Sequence, residues 1–148
     1  MRALLQRVSR ASVSVEQKIV GQIGQGLLVL LAVGKDDNEV GVKLLAEKIV
    51  QLRIFGDEED KMNRSLLDIH GEILLVSQFT LYANIKRGRR PSFVDAAPPA
   101  LAVPLYEQFK ATLASYGLTV ASGIFGASMS IELRNEGPVT IWLDTAEL

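Results

Sequence analysis

The chain has 148 residues, 48% of them hydrophobic, enough to bury a sizeable core in one compact domain spanning 1–148. Lys+Arg 16 against Asp+Glu 17 leaves a net charge of −1, so any nucleic-acid contact has to come from a local patch rather than from overall charge. The absence of cysteine excludes disulfides, thiol nucleophiles and thiolate metal sites.

The opening MRALLQRVSRASVSV alternates polar residues and has no long apolar core, so it does not read as a signal peptide. The longest apolar run, 27–33, is far too short to cross a bilayer. The expectation is a soluble cytoplasmic protein with no membrane partner. Residues 2–8 and 11–16 read as two strands of a hairpin, bent at Arg10-Ala11, with Val13 and Val15 alternating with Ser12 and Ser14. A short strand over 18–23 follows, punctuated by Gly21, Gly24 and Gly26. Residues 27–33 (LLVLLAV) are almost continuously apolar and predict a central strand buried on both faces.

Asp36 or Asp37 is placed to cap a helix over about 38–53, whose stripe is Val42, Leu45, Ile49 and Leu52. Ile54-Phe55 starts a short strand, and GDEEDK (56–61) is a charged, solvated turn whose spacing does not match a calcium loop. Residues 65–71 lead into the longest strand-like run, 72–83 (EILLVSQFTLYA). Pro98, Pro99 and Pro104 mark an irregular approach to a second helix over about 103–116, with Leu105, Phe109, Leu113 and Tyr116 inward and Gly117 as its stop. Strands follow at 118–121, 128–134 and 139–144, the last two separated by a turn at Asn135–Pro138. Many strands with two helices, not in regular alternation, predict an α+β fold: a curved mixed β-sheet, barrel-like, with two helices packed on one side.

Several catalytic devices are excluded. The glycines of 21–26 do not match a dinucleotide fingerprint, Gly34-Lys35 lacks the upstream glycine of a phosphate loop, and GASMS (126–130) is not a nucleophile elbow. The single histidine, His70, sits before Gly71 in a turn, and one histidine without cysteine does not make a zinc site. No metal or cofactor is expected. What remains is hydroxyl, amide and backbone chemistry in two places. In the run 72–83, Ser77, Gln78 and Thr80 interrupt an apolar strand. In a regular strand Gln78 and Thr80 would share a face, about 7 Å apart. Two readings fit: a buried polar seam, or a pocket in which N–H groups near Phe79 and Thr80 face a developing oxyanion. In NEGPVT (135–140), a cis Gly137-Pro138 bond would turn two successive carbonyl oxygens the same way, suited to holding an ammonium group.

Ser77-Gln78-Phe79-Thr80-Leu81 and Asn135-Glu136-Gly137-Pro138-Val139-Thr140 resemble the two signature motifs of D-aminoacyl-tRNA deacylases. The likeness extends to the opening segment and to KRGRRPSF (86–93). The resemblance implies a homodimer with active sites at the interface, where the Gly-Pro motif of one subunit, in its cis form, enters the pocket of the other. It implies as substrate a tRNA carrying a D-amino acid, or mischarged glycine, esterified to its terminal adenosine. Ser77, Gln78, Phe79 and Thr80 then form the catalytic strand. Gly137, Pro138 and Asn135 meet the substrate, Phe125 lines the pocket, and Arg7 and Met129 hold the Gly-Pro segment. Lys86, Arg87, Arg89 and Arg90 face tRNA phosphates. Thr80 is the natural nucleophile, yet no base lies near it in sequence, which favours assistance by the substrate's own ribose 2′-hydroxyl. Two alternatives stand beside this one. The first is an esterase with a Thr80 nucleophile. The second is a non-catalytic nucleic-acid-binding module, since eukaryotic relatives of the family are linked to DNA unwinding elements.

Overall fold

The computed structural model describes residues 1–86 and 88–148, so Arg87, expected in the basic loop, lies outside the described residues. The first strand, β1, runs unbroken over Arg2–Val15, in place of the hairpin expected there. Its inward residues explain the misreading. Ala3 and Leu5 keep a period of two, but Val8 and then Ala11 come three residues on, which breaks the alternation twice. The phase breaks are absorbed by register shifts against a later strand, between Gln6 and Val8 and between Val8 and Arg10, not by a turn. The true turn is Glu16-Gln17, with φ of 49° and 64°, a two-residue connection whose left-handed backbone suits the twist of a hairpin.

The returning chain forms β2 (Lys18–Ile23) and β3 (Gly26–Ala32), which pair with residues 11–15 and 2–8 of β1. The other edge of β1 is taken by β8 (Ser130–Asp144), along nearly its whole length. β3 pairs in parallel with β6 (Glu72–Ser77), and β6 with β7 (Val120–Ser122). β2 and β7 come together at Gly21, where an added Cβ would lie 2.9 Å from the Ser122 carbonyl oxygen. Close approach without a side chain thus brings the sheet near to closing as a barrel.

Helices α1 (Glu39–Gln51) and α2 (Pro99–Ser115) both pack on the outer face of this sheet. There Val42, Leu45 and Ile49 of α1 and Leu105, Phe109 and Leu113 of α2 meet Leu5, Leu27, Val29, Ile73 and Leu75. The opposite face forms a separate interior of Val8, Ala11, Val13, Ile23, Leu28, Leu74 and Val76. β3 and β6 feed both clusters, which is why they read as continuous apolar runs.

Three element boundaries differ from expectation. Asn38 caps α1, accepting from Val40 N at 2.9 Å, because Asp37 is engaged by the Met1 amine at 2.5 Å and by Gly34 N at 2.6 Å. α2 starts at Pro99 and runs through Pro104. A first-turn proline forfeits no helical bond, and the acceptor freed by Pro104 belongs to exposed Ala100, open to water. Tyr116 is the exposed C-terminal cap of α2, and Tyr106 is the tyrosine that is buried. Gly117 ends the helix at φ +79°. β4 (Phe55–Gly56) and β5 (Met62–Arg64) flank the charged turn. Finally, 135–138 is no turn between strands. Val8 pairs with Asn135 and Gln6 with Thr140, so Glu136, Gly137, Pro138 and Val139 all stand opposite the single residue Arg7. The Gly-Pro segment is a wide bulge within one long strand.

Candidate active site

β6 stops at Ser77, six residues before the end expected for it. Its neighbour β3 sets the limit. Leu31–Ser77 is the last pair, and Gln78 N makes one more bond, 2.7 Å, to the Leu31 carbonyl. Gln78 then turns the chain (φ −143°, ψ 68°) into a 3₁₀ helix, Phe79–Tyr82. Gln78 and Thr80 therefore do not share a strand face some 7 Å apart. The Gln78 amide nitrogen donates to the Thr80 hydroxyl at 2.5 Å. The first bond within the turn runs from Leu81 N to Gln78 O, 3.1 Å. The Phe79 and Thr80 N–H groups precede it, as the opening donors of a helix do.

Ser77, Gln78 and Phe79 border a cavity of about 260 Å³. Its other walls come from Leu31, Ala32 and Val33 of the β3 end, Ala102 and Tyr106 of α2, and Phe125, Ala127, Met129 and Ile131. The lining is mainly apolar, with the polar groups gathered where β6 ends. The Tyr106 hydroxyl donates to Leu75 O at 3.1 Å, and its ring meets Phe125 edge-on at 5.7 Å between centroids. Three larger depressions, of about 710, 640 and 420 Å³, contain none of the residues given a site role from the sequence.

The second motif lies elsewhere in the same chain. Asn135 Nδ2 donates to Arg7 O (2.9 Å) and Val139 O (3.1 Å), closing the base of the bulge. Arg7 donates in turn to Glu136 O (3.2 Å) and Ile54 O (2.5 Å), which puts its side chain beside the Gly-Pro segment. The Gly137-Pro138 bond is cis, and both residues are exposed. None of Arg7, Asn135, Gly137 and Pro138 lines the cavity at Gln78. Met129, expected to hold that segment, lines the cavity instead and packs against Gly123.

Lys86, Arg89 and Arg90 are exposed on a loop closed by paired bonds between Asn84 and Ser92, 2.7 and 3.0 Å. Phe93, just past the loop, meets Phe79 edge-on at 5.0 Å, so the basic loop is joined to the turn at the cavity mouth.

Residues 4–144 match the family model described as D-Tyr-tRNA(Tyr) deacylase. The chain belongs to the D-aminoacyl-tRNA deacylase family. Proteins named D-aminoacyl-tRNA deacylase from Roseiflexus sp. (strain RS-1) and Thermosipho africanus are 60% and 57% identical to it. The first alignment covers 99% of this chain and 94% of the relative, the second 100% and 99%. A solved structure named c-Myc DNA Unwinding Element Binding Protein superposes with a TM-score of 0.91 at 39% identity, covering 97% of this chain and 98% of that one. A probable eukaryotic D-amino acid tRNA deacylase shares the fold at a TM-score of 0.84 and 21% identity, over 96% and 97% of the two chains. Members of this deacylase family thus align with the chain from end to end, both motifs included.

Two groups escaped the sequence reading. Ala102 and Tyr106 line the cavity, and the signal was the buried-face spacing Ala102, Tyr106, Phe109, Leu113 with a hydroxyl on one member. Arg2 and Tyr82 support the turn from behind, and no pattern along the chain marks them.

Burial pushes both the Tyr106 and Tyr82 phenols well above the ordinary tyrosine range, with the Glu107 charge adding to the first and the Asp37 and Asp144 charges to the second. Both hold their protons more tightly folded than unfolded. Their contribution to stability is therefore intact below pH about 10 and is lost as the pH rises further. Phenolate absorbance and circular dichroism, followed together on raising the pH, should show these two tyrosines ionising only as the fold is lost. Reversible ionisation of both with native dichroism would contradict the burial argument.

Proposed function

We infer that the cavity bordered by Ser77, Gln78 and Phe79 receives the aminoacylated end of tRNA, and that the ester is cleaved at its mouth. The chain is an ester hydrolase, a D-aminoacyl-tRNA deacylase, by membership of a family matched over residues 4–144. It acts as one domain spanning 1–148, in the cytoplasm, where charged tRNA is used. Among the described residues, no helix is long and apolar enough to cross a membrane.

The observation that carries the mechanism is the hydrogen-bond partner of the Thr80 hydroxyl, which is an amide and not a general base. The only histidine, His70, precedes β6 at the end opposite Ser77, on the order of 20 Å away by the rise of a strand. Thr80 has the Gln78 amide as its partner, and an amide takes no proton. The residues at the cavity mouth are built to position rather than to attack. Gln78 orients the ester or the adenosine, and the N–H groups of Phe79 and Thr80 face the oxygen on which charge develops. The substrate's 2′-hydroxyl helps to activate the attacking water, its proximity replacing a protein base. Phe125 packs against the bound group.

The Gly137-Pro138 bulge supports an interfacial site in a homodimer. Gly137 and Pro138 are exposed and do not line the cavity at Gln78 in their own chain, so a partner's cavity is where they would act. Their carbonyl oxygens hold the α-ammonium group of the substrate. With ammonium and ester both fixed, one Cα substituent points out of the pocket and the other into the Gly-Pro backbone. A D side chain takes the open direction, an L side chain collides, and glycine passes because it has nothing to collide. Selection by exclusion predicts tolerance of many D-amino acids. Lys86, Arg89 and Arg90 meet tRNA phosphates from the loop joined to Phe79, and Arg87, adjacent in sequence, adds a fourth charge.

The test is ester loss from matched D- and L-aminoacyl-tRNA. Hydrolysis of the D form with the L form spared is expected, and equal rates would refute chiral selection. A terminal adenosine lacking the 2′-hydroxyl should react far more slowly, whereas an undiminished rate excludes substrate assistance. Thr80→Ala should retain deacylation within about tenfold, since it loses one hydrogen bond of roughly 1 kcal/mol. Complete loss would instead restore Thr80 as a nucleophile. A nucleic-acid-binding module without catalysis is the second reading, favoured by the name of the structural neighbour linked to DNA unwinding. Binding of tRNA with no ester loss in either arm would select it.

A further inference from the structure

The turn Phe79–Tyr82 has an unusual support. None of its four residues is buried, and Phe79 is 57% exposed. A 3₁₀ helix has poor hydrogen-bond geometry of its own and does not persist on that alone. Its entry is tied to the sheet by Gln78 N. At its exit the half-buried Tyr82 rests on Gly34 and Asp37, and the side chain of Arg2 meets the turn from the other side.

Arg2 engages the end of the turn in two ways. One terminal guanidinium nitrogen donates to Leu81 O at 3.1 Å, and the guanidinium carbon lies 4.3 Å from the centroid of the Tyr82 ring. Its Nε is anchored on Asp144 Oδ2 at 2.8 Å, and Trp142 flanks it at 5.6 Å. Burial opposes ionisation of Asp144, but the Ala146 N–H and Arg2 together outweigh it and hold this carboxyl below its usual range. The anchor is therefore charged at neutral pH. Tyr82 is seated from behind as well. Its hydroxyl donates to Asp37 at 3.3 Å, and its ring lies so close over Gly34 that a Cβ there would fall 2.5 Å from the hydroxyl oxygen.

We propose that Arg2 is a positioning residue for deacylation: by clamping Leu81 and Tyr82 to the end of β8, it fixes the Phe79 and Thr80 amides at the cavity mouth. The proposal rests on reading that turn as part of the reactive site. The clamp needs a planar, multiply donating side chain. Arginine can bond Leu81 and Asp144 at once while lying flat on Tyr82, and lysine, a point charge on a flexible stem, cannot. Displacement of reacting groups by about an ångström costs on the order of 100-fold in rate. Loosening the turn without removing it should cost about tenfold.

Arg2→Lys and Arg2→Met are the variants to make. Expected are native circular dichroism, a kcat on D-aminoacyl-tRNA about tenfold lower, and a KM within about twofold of the parent. Amide exchange should quicken at Leu81 and Ala83, whose N–H groups close the turn, and stay unchanged in β3 and β6. A merely structural role would instead quicken exchange across the sheet and leave kcat per folded molecule intact. Unaltered exchange at Leu81 and Ala83, or full kcat in both variants, overturns the proposal. The parent protein is assayed alongside. Failure of the functional reading would appear as an inactive parent, and failure of this proposal as an active parent with equally active variants.

Discussion

Gly137→Ala should fold as the parent does and lose about 100-fold in deacylation, the penalty for displacing reacting groups by roughly an ångström. Within its own chain Gly137 has room for a methyl group. The nearest atom to an added Cβ is Asn135 Oδ1 at 4.0 Å, which is ordinary contact, and its backbone does not lie in the left-handed region. The melting temperature should therefore stay within a degree or two of the parent. A large loss of rate would then point to the proposed interfacial site, where the added methyl would press on the bound amino acid. Melting temperature and initial rate on D-aminoacyl-tRNA are the two measurements. Full activity would separate the Gly-Pro bulge from the site, and with it the proposed origin of chiral selection.

Phe109→Ala should act in the opposite way, on stability and not on the site. Phe109 is fully buried at the centre of α2, in the cluster shared with Leu75 and both helices. Removing its ring costs about 3–5 kcal/mol, as lost transfer energy and an unfilled cavity. For a chain of this size that is a fall of roughly 10 °C in melting temperature. It is a large part of the total, because domains of this kind are held by only about 5–15 kcal/mol. Denaturant unfolding measures it directly. The surviving folded molecules should keep the parent's KM, since Phe109 does not line the cavity. A stability loss below about 1 kcal/mol would mean that the helix layer repacks around the vacancy.

The α+β class, the buried central strand and the two helices were legible because each rests on apolar periodicity. β1 was misread because periodicity fails at bulges. Val8 and Ala11 break the alternation without any change of direction, and the real turn, Glu16-Gln17, carries none of the glycine or asparagine that left-handed positions favour. The strand at 72–83 was overextended for a related reason. Phe79, Leu81 and Tyr82 have strand-like side chains, and the stop is imposed by the end of β3, a tertiary limit with no local mark. Ser77, Gln78 and Thr80 stood out as candidates because polar residues in an apolar run need an explanation, and Phe79 came with them as their neighbour. Phe125 and Met129 were placed in one cavity with Ser77, Gln78 and Phe79 only by folding, across some 45 residues of chain. Arg2 could not be found at all, since its partners lie at Leu81 and Asp144.

The pairing of β1 with β8, from Arg2 opposite Asp144 to Ser14 opposite Ser130, also bears on how the molecule comes into being. Loop closure over most of a chain is entropically slow, and contacts so distant in sequence put a fold at the high-contact-order, slow-folding end of the range. Synthesis delivers β1 first and its long edge partner last. Until β8 emerges, that edge of β1 offers unpaired N–H and C=O groups to any neighbouring strand, including the same segment of another nascent chain. The segment that carries the proposed chiral filter is therefore also the one that ends this exposure. An unfinished chain lacks both, so selectivity and protection from aggregation arrive in the same step of synthesis.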